Sequence, residues 1–126
     1  MAPADAEAQD GLGQLVTDVM GVCADMRAAI TGPLYHSAPA AYAARAVQLG
    51  APQVLMPRFD AEDLLRLIAT QKLTHMHMVP TMFVRLLRLP DEVKARYDLS
   101  SLRFVVHGAA PCPVLVKQAL IAWWGP

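Results

Sequence analysis

The side chains and backbone best suited to chemistry in this 126-residue chain fall in a few short segments. His75 and His77 lie two apart in Leu73-Thr74-His75-Met76-His77-Met78-Val79, so on a strand both imidazoles point to one face. Such a pair binds a metal if a third ligand approaches, but no acidic or Cys residue has fitting spacing. His36 follows Tyr35 at a predicted strand end. An imidazole there can donate a hydrogen bond to a carboxylate, a role of orientation and charge stabilisation rather than nucleophilic attack; the plainer alternative is a hydrogen-bonded structural histidine. Gly108, Ala109 and Ala110 carry nothing larger than a methyl group, so a flat base can lie against their backbone, although a tight strand-to-helix turn needs small residues too. Cys112 sits beside a helix start, yet no ordered His and acid make it a thiol nucleophile. Gly11-Leu12-Gly13 precedes a helix with no strand before it, which reads as a helix start and not as a phosphate loop.

These residues need a scaffold, and the punctuation of the chain supplies one. Leu12, Leu15, Val16, Val19 and Met20 make one helical face ended by Gly21. Ala28 to Ile30 is a short apolar run broken by Thr31-Gly32-Pro33, as at a strand's carboxyl end. Ala40 to Leu49 predicts a helix, and Gln53 to Met56, closed by Pro57, a buried strand. Asp60 caps the next helix, with Asp63 in its first turn, Phe59 placed to staple onto Leu64, and Leu64, Leu65, Leu67 and Ile68 as its apolar stripe. Leu73 to Val79 predicts a strand, and Pro80 opens a helix over Thr81 to Leu89. Pro90 to Leu99 is polar, with one helical turn and the solvated charges Asp91, Glu92, Lys94 and Arg96. Leu102 to Val106 is the last strand, and Pro113 opens a helix whose Val116, Leu120 and Trp123 share a face, leaving neighbouring Trp124 off it.

Strands separated by single helices imply parallel pairing, hence an α/β fold with a partial open, mostly parallel sheet and flanking helices. Such sheets place ligands outside the carboxyl ends of their strands: here 34–37, 57–60, 79–81 and 107–111. Residues 1–10 read as a frayed segment and 11–126 as a single partial domain.

Composition removes several functions. Eleven Lys plus Arg balance eleven Asp plus Glu, so no basic footprint for nucleic acid exists. The 55% hydrophobic share excludes disorder and leaves apolar surface for a covered sheet, a partner or self-association. No stretch reaches the roughly 18 uninterrupted apolar residues of a membrane span. The acidic, Ala-rich start is no secretory signal, and unpaired Cys23 and Cys112 fit a reducing, cytoplasmic setting.

Four segments occur in one order: Thr31-Gly32-Pro33-Leu34-Tyr35-His36-Ser37-Ala38-Pro39, Val54-Leu55-Met56-Pro57-Arg58-Phe59-Asp60, Met78-Val79-Pro80-Thr81-Met82-Phe83, and His107-Gly108-Ala109-Ala110-Pro111-Cys112. Together they resemble the middle of the N-terminal domain of an acyl-CoA synthetase (fatty-acid CoA ligase) of the adenylate-forming, AMP-binding superfamily, over roughly Leu12 to Pro126. The resemblance implies that the parent enzyme uses ATP, magnesium and coenzyme A to turn a fatty or other carboxylic acid into an acyl adenylate and then a thioester. It implies His36 as the reactive-site residue, Tyr35, His36, His77 and Thr81 as substrate-binding, and Gly108, Ala109 and Ala110 as the adenine wall; the family often has a second Gly where Ala109 stands. The family's Pro-Lys phosphate loop, its Tyr-Gly-x-Thr-Glu motif and its catalytic-Lys domain are not among these residues. The chain alone is therefore expected to be inactive and to bind none of those ligands tightly. The contrasting expectation is a non-catalytic α/β interaction module derived from such a domain.

Overall fold

A computed structural model describes residues 11, 14, 17–108 and 110–126. The predicted frayed segment, Ala109 and residues 12, 13, 15 and 16 of the first predicted helix lie outside them; residues 17–20 of that helix are helical. The elements that follow are β1 (Ala28–Ile30), α1 (Ser37–Gln48), β2 (Gln53–Leu55), α2 (Ala61–Gln71), β3 (His75–Met78), α3 (Pro80–Leu87), α4 (Asp91–Arg96), β4 (Phe104–His107) and α5 (Val114–Trp124).

The strands form one four-stranded sheet in the order β2-β1-β3-β4, parallel throughout. Register aligns Ile30 with Leu55 on one side and with His77 on the other, and His77 with Val106. Side chains alternate between two cores. Ala29, Met76, Met78 and Val105 enter one with Leu64, Leu65 and Ile68 of α2, Phe83 and Leu86 of α3, and Leu120 of α5. Ala28, Ile30 and Val106 enter the other with Val22, Met26, and Tyr42, Ala43 and Ala46 of α1. The chain steps from β1 to β2 in one direction and returns past β1 to β3 in the other. Right-handed crossovers made in opposite directions must use opposite faces. That is why α1 covers one face while α2, α3 and α5 cover the other.

Local chemistry accounts for the helix ends. The Asp60 side chain accepts from the Asp63 N–H at 2.8 Å, and Glu62 and Asp63 face the positive end of α2. Lys72 ends α2 in the left-handed region, its N–H donating to the Ile68 carbonyl. Each of the fully buried Leu64, Leu65 and Ile68 contributes about 1.5–3 kcal/mol of burial. Pro80 occupies the first position of α3, where its missing N–H costs no helical bond.

Four expectations need correction. Helix α1 starts at Ser37 rather than Ala40, since Pro39 fits a first turn. Strand β4 begins at Phe104 rather than Leu102, because the Leu102 N–H closes a turn onto the Leu99 carbonyl. Lys94 is not merely solvated: its ammonium lies 5.4 Å from the Trp123 ring centroid, and Arg96 and Tyr97 both bond Glu62. Trp123 and Trp124 are both half-buried against the α2–α3–α5 core, 5.5 Å apart between ring centroids.

Candidate functional site

The connection after β1 leaves toward the α1 face and the one after β3 toward the α3 face. A crevice opens where adjacent parallel strands diverge in this way, outside their carboxyl ends. At this place the Thr31 hydroxyl donates to the His77 carbonyl at 2.8 Å in a buried bond, and the Gly108 N–H bonds the Met78 carbonyl at 3.3 Å. The ends of β1, β3 and β4 are thus tied together.

His77 is 7% exposed, and its ring nitrogens make no hydrogen bond among the described residues. A side-chain carbon added to Gly108 would stand 3.5 Å from the His77 Nε2, so glycine leaves the imidazole edge open at the end of β4. Burial, reinforced by the charge of nearby His107, lowers the His77 pKa and keeps the ring neutral. On its α1 side the His77 ring meets that of Tyr42, 6.4 Å between centroids. The Tyr42 hydroxyl is buried without a partner, and burial, with Cys23 nearby, raises its pKa.

The other predicted site residues occupy the same end of the sheet. His36 caps α1 from an extended conformation without a side-chain cap bond, is exposed, and meets the Tyr35 ring at a tilt, 4.7 Å between centroids. Tyr35 is 85% exposed. Thr81 is exposed in the first turn of α3, and Ala110 is exposed after β4, while Ala109 lies outside the described residues. The structure joins Tyr35 to His36, and His77 to Gly108. Thr31 and Tyr42 were missed by sequence reasoning: one looks like part of a chain break and the other like an apolar helix position. Only the Thr-Gly-Pro break, with a hydroxyl after an apolar run, carried a signal.

His75 belongs to the opposite end of β3. Its Nδ1 is 2.7 Å from the Thr74 hydroxyl, its Nε2 is 3.7 Å from the Cys23 sulfur, and its ring stacks on Phe104. Burial and the Arg103 charge lower its pKa. The Cys23 thiol donates to the Asp25 carboxylate at 3.0 Å, which with burial pushes the thiol up and away from the reactive thiolate. Sharing a strand face has therefore not made His75 and His77 a chelating pair, and among the described residues no three His, Cys, Asp or Glu side chains converge on a metal position. A groove of about 250 Å³, lined by Phe104, Val105, His107, Leu120, Ile121 and Trp124 among others, runs along the free edge of β4. No helix among the described residues is long and apolar enough to cross a membrane.

Comparison with known proteins gives one consistent result. The profile of the family described as AMP-binding enzyme matches residues 8–126. The chain is 32% identical to a putative acyl-CoA synthetase, YngI, of Bacillus subtilis, over 87% of this chain and 20% of that protein. It is 35% identical to 4-coumarate–CoA ligase-like 3 of Arabidopsis thaliana, over 72% of this chain and 17% of that one. The structure of an amide bond synthetase, the McbA K483A mutant from Marinactinospora thermotolerans, superposes with a TM-score of 0.80 at 27% identity, covering 91% of this chain and 22% of that one. The chain thus spans about a fifth of the length of the curated relatives it matches.

Proposed function

The chain belongs to the AMP-binding enzyme family, and from that premise we propose that it forms part of the adenylation layer of an ATP-dependent acyl-CoA synthetase acting on a fatty or other carboxylic acid. The observation that carries this reading is the convergence of the Tyr35–His36 loop, the Val79-Pro80-Thr81 turn and Gly108 on the carboxyl edge of one parallel sheet, at its switch point.

In the complete enzyme a carboxylate oxygen attacks the α-phosphorus of ATP, forming the acyl adenylate as the bond to the β-phosphate oxygen breaks and pyrophosphate leaves. The coenzyme A thiolate then attacks the acyl carbon, forming the thioester and releasing AMP. His36, exposed at the start of α1, donates a hydrogen bond to the carboxylate and orients it. Gly108 supports the fit to adenine, since the space a side chain would take there is left to a flat base. Ala109 and Ala110 extend that wall. Tyr35, His77 and Thr81 border the acid. Magnesium offsets phosphate charge when bound; the described residues hold no acidic cluster to ligate it, and none of them takes part in a step through it.

Among the described residues no loop forms a phosphate cradle, and in this reading the layer alone neither catalyses nor binds ATP tightly. Calorimetry of ATP binding to the purified 126-residue chain tests this reading. No saturable heat is expected from folded protein; saturable, tight ATP binding would overturn the account of an incomplete layer.

A further inference from the structure

We infer that β4 pairs through its free edge with β4 of a second copy of this chain, antiparallel and about a two-fold axis at Val106, so that two four-stranded sheets become one. The inference rests on the sheet edge and on α5, and is independent of the adenylation reading.

The two edges of the sheet differ. At one, β2 has three residues and is flanked by Pro52 and Pro57, as guarded edges often are. At the other, β4 runs Phe104-Val105-Val106-His107, with no proline, lysine or carboxylate to repel a second strand. The Phe104 N–H bonds the Thr74 carbonyl at 3.1 Å and the Gly108 N–H the Met78 carbonyl at 3.3 Å, so alternate residues from Phe104 onward face β3. Val105 and His107 therefore turn their N–H and C=O groups outward, where no strand lies among the described residues. This pattern is its own complement. Turned about Val106, Val105 stands opposite His107 of the copy and exchanges both backbone hydrogen bonds with it, the hydrogen-bonded pair of an antiparallel ladder. Val106 meets Val106 of the copy as a β-branched cross-strand pair, and no like charges stand opposed within β4.

Helix α5 points to the same occupant. Lys117 and Gln118 are its only polar residues, yet Leu120 is the only one of its side chains that is buried. A helix apolar nearly all round belongs in an interior. Ile121, 43% exposed, and Trp124 line the groove beside β4. A continuous sheet keeps α5 of both copies on one face, so the two helices flank the axis and each groove faces the other. Arg103, at the start of the edge, is engaged by Asp25 at 3.0 Å, and exposed Lys117 extends its ammonium to solvent along an apolar stem. Eleven Lys plus Arg against eleven Asp plus Glu leave no net charge to hold two copies apart.

The test uses the purified 126-residue chain. Sedimentation velocity from micromolar to submillimolar concentration is expected to show a monomer of 13.7 kDa passing to a species of twice that mass and no further. Amide hydrogen exchange read by NMR should find the Val105 and His107 N–H groups protected in the dimer and exposed on dilution. Ile121→Lys, at an exposed position, should weaken the dimer by at least about tenfold. His107→Pro, which removes an outward N–H and no bond to β3, should do the same. Because exchange in the wild type is read directly, the test survives a variant that does not fold. A chain that stays monomeric at the highest concentration, growth beyond the dimer, fast exchange of Val105 and His107 within the dimer, or a dimer unweakened in folded Ile121→Lys would overturn the inference. The ATP calorimetry is a separate readout, and neither result of it moves the dimer.

Discussion

The Thr31 hydroxyl donates a 2.8 Å hydrogen bond to the carbonyl of His77, 46 residues further along the chain, inside the protein. The bond crosses between β1 and β3 where their connections part to opposite faces, and so ties the two strands together there. Much of the site's behaviour follows from this bond and from the buried ring it positions.

Replacing Thr31 with Val keeps the shape and removes the donor. The expected loss is about 1–2 kcal/mol, because a buried acceptor forfeits a partner. Urea unfolding monitored by circular dichroism reads it as a lower midpoint with unchanged slope. Thr31→Ser, which retains the hydroxyl, should recover most of the loss.

The histidines make stability depend on pH. Unfolded imidazoles titrate near 6.5, while burial lowers the folded values of both His75 and His77. Between the lowered values and about 6.5 the unfolded chain binds more protons, so stability rises with pH across that window. The contribution is complete above about pH 6.5 and is lost as pH falls toward the folded values. Denaturant midpoints measured from pH 8 to pH 5 should fall, and His77→Leu should flatten that fall.

Two glycines in the left-handed region separate strain from crowding. Gly21 has φ +68°, and a side-chain carbon there would lie 2.6 Å from the Phe104 ring. Gly50 has φ +67° with nothing within 4 Å. Gly50→Ala should cost about 1 kcal/mol from backbone strain alone, and Gly21→Ala about 2–3 kcal/mol because the Phe104 ring must also shift. Paired thermal melts measure the difference.

The proposed adenylation roles predict losses in a full-length synthetase carrying these residues. His36→Ala should lower adenylate formation about 10²-fold by removing one donor, read by pyrophosphate exchange. Gly108→Val should weaken nucleotide binding at least tenfold. Gly108→Ala, whose added carbon meets His77 at an ordinary 3.5 Å, should change stability by no more than about 0.5 kcal/mol. Unchanged exchange in both His36→Ala and Gly108→Val would remove the site assignment.

Element types were legible because they are written in local chemistry. Asp60 and Asp63 announce α2, Pro80 announces α3, and the short apolar run Ala28–Ile30 before Thr-Gly-Pro announces a strand. Element limits were less so: the helix was expected from Ala40 although its first turn begins at Ser37 and admits Pro39, and Leu102 read as strand although a turn claims its N–H. Lys94 looked solvated because nothing in Asp91 to Arg96 reveals that the Trp123 ring will lie beneath it.

The order of residue types along the chain was enough to specify parallel strands joined by helices, and to place His36, Thr81 and Gly108 at the carboxyl edge, since each follows a strand within a few positions. It did not specify that β3 would lie beside β1 instead of beside β2. That choice depends on filling two cores at once with side chains from distant segments, a non-local sum that no window of sequence contains. The same pairing set Thr31 against the His77 carbonyl, Tyr42 against the His77 ring and Gly108 at its edge, bringing four separate residues together.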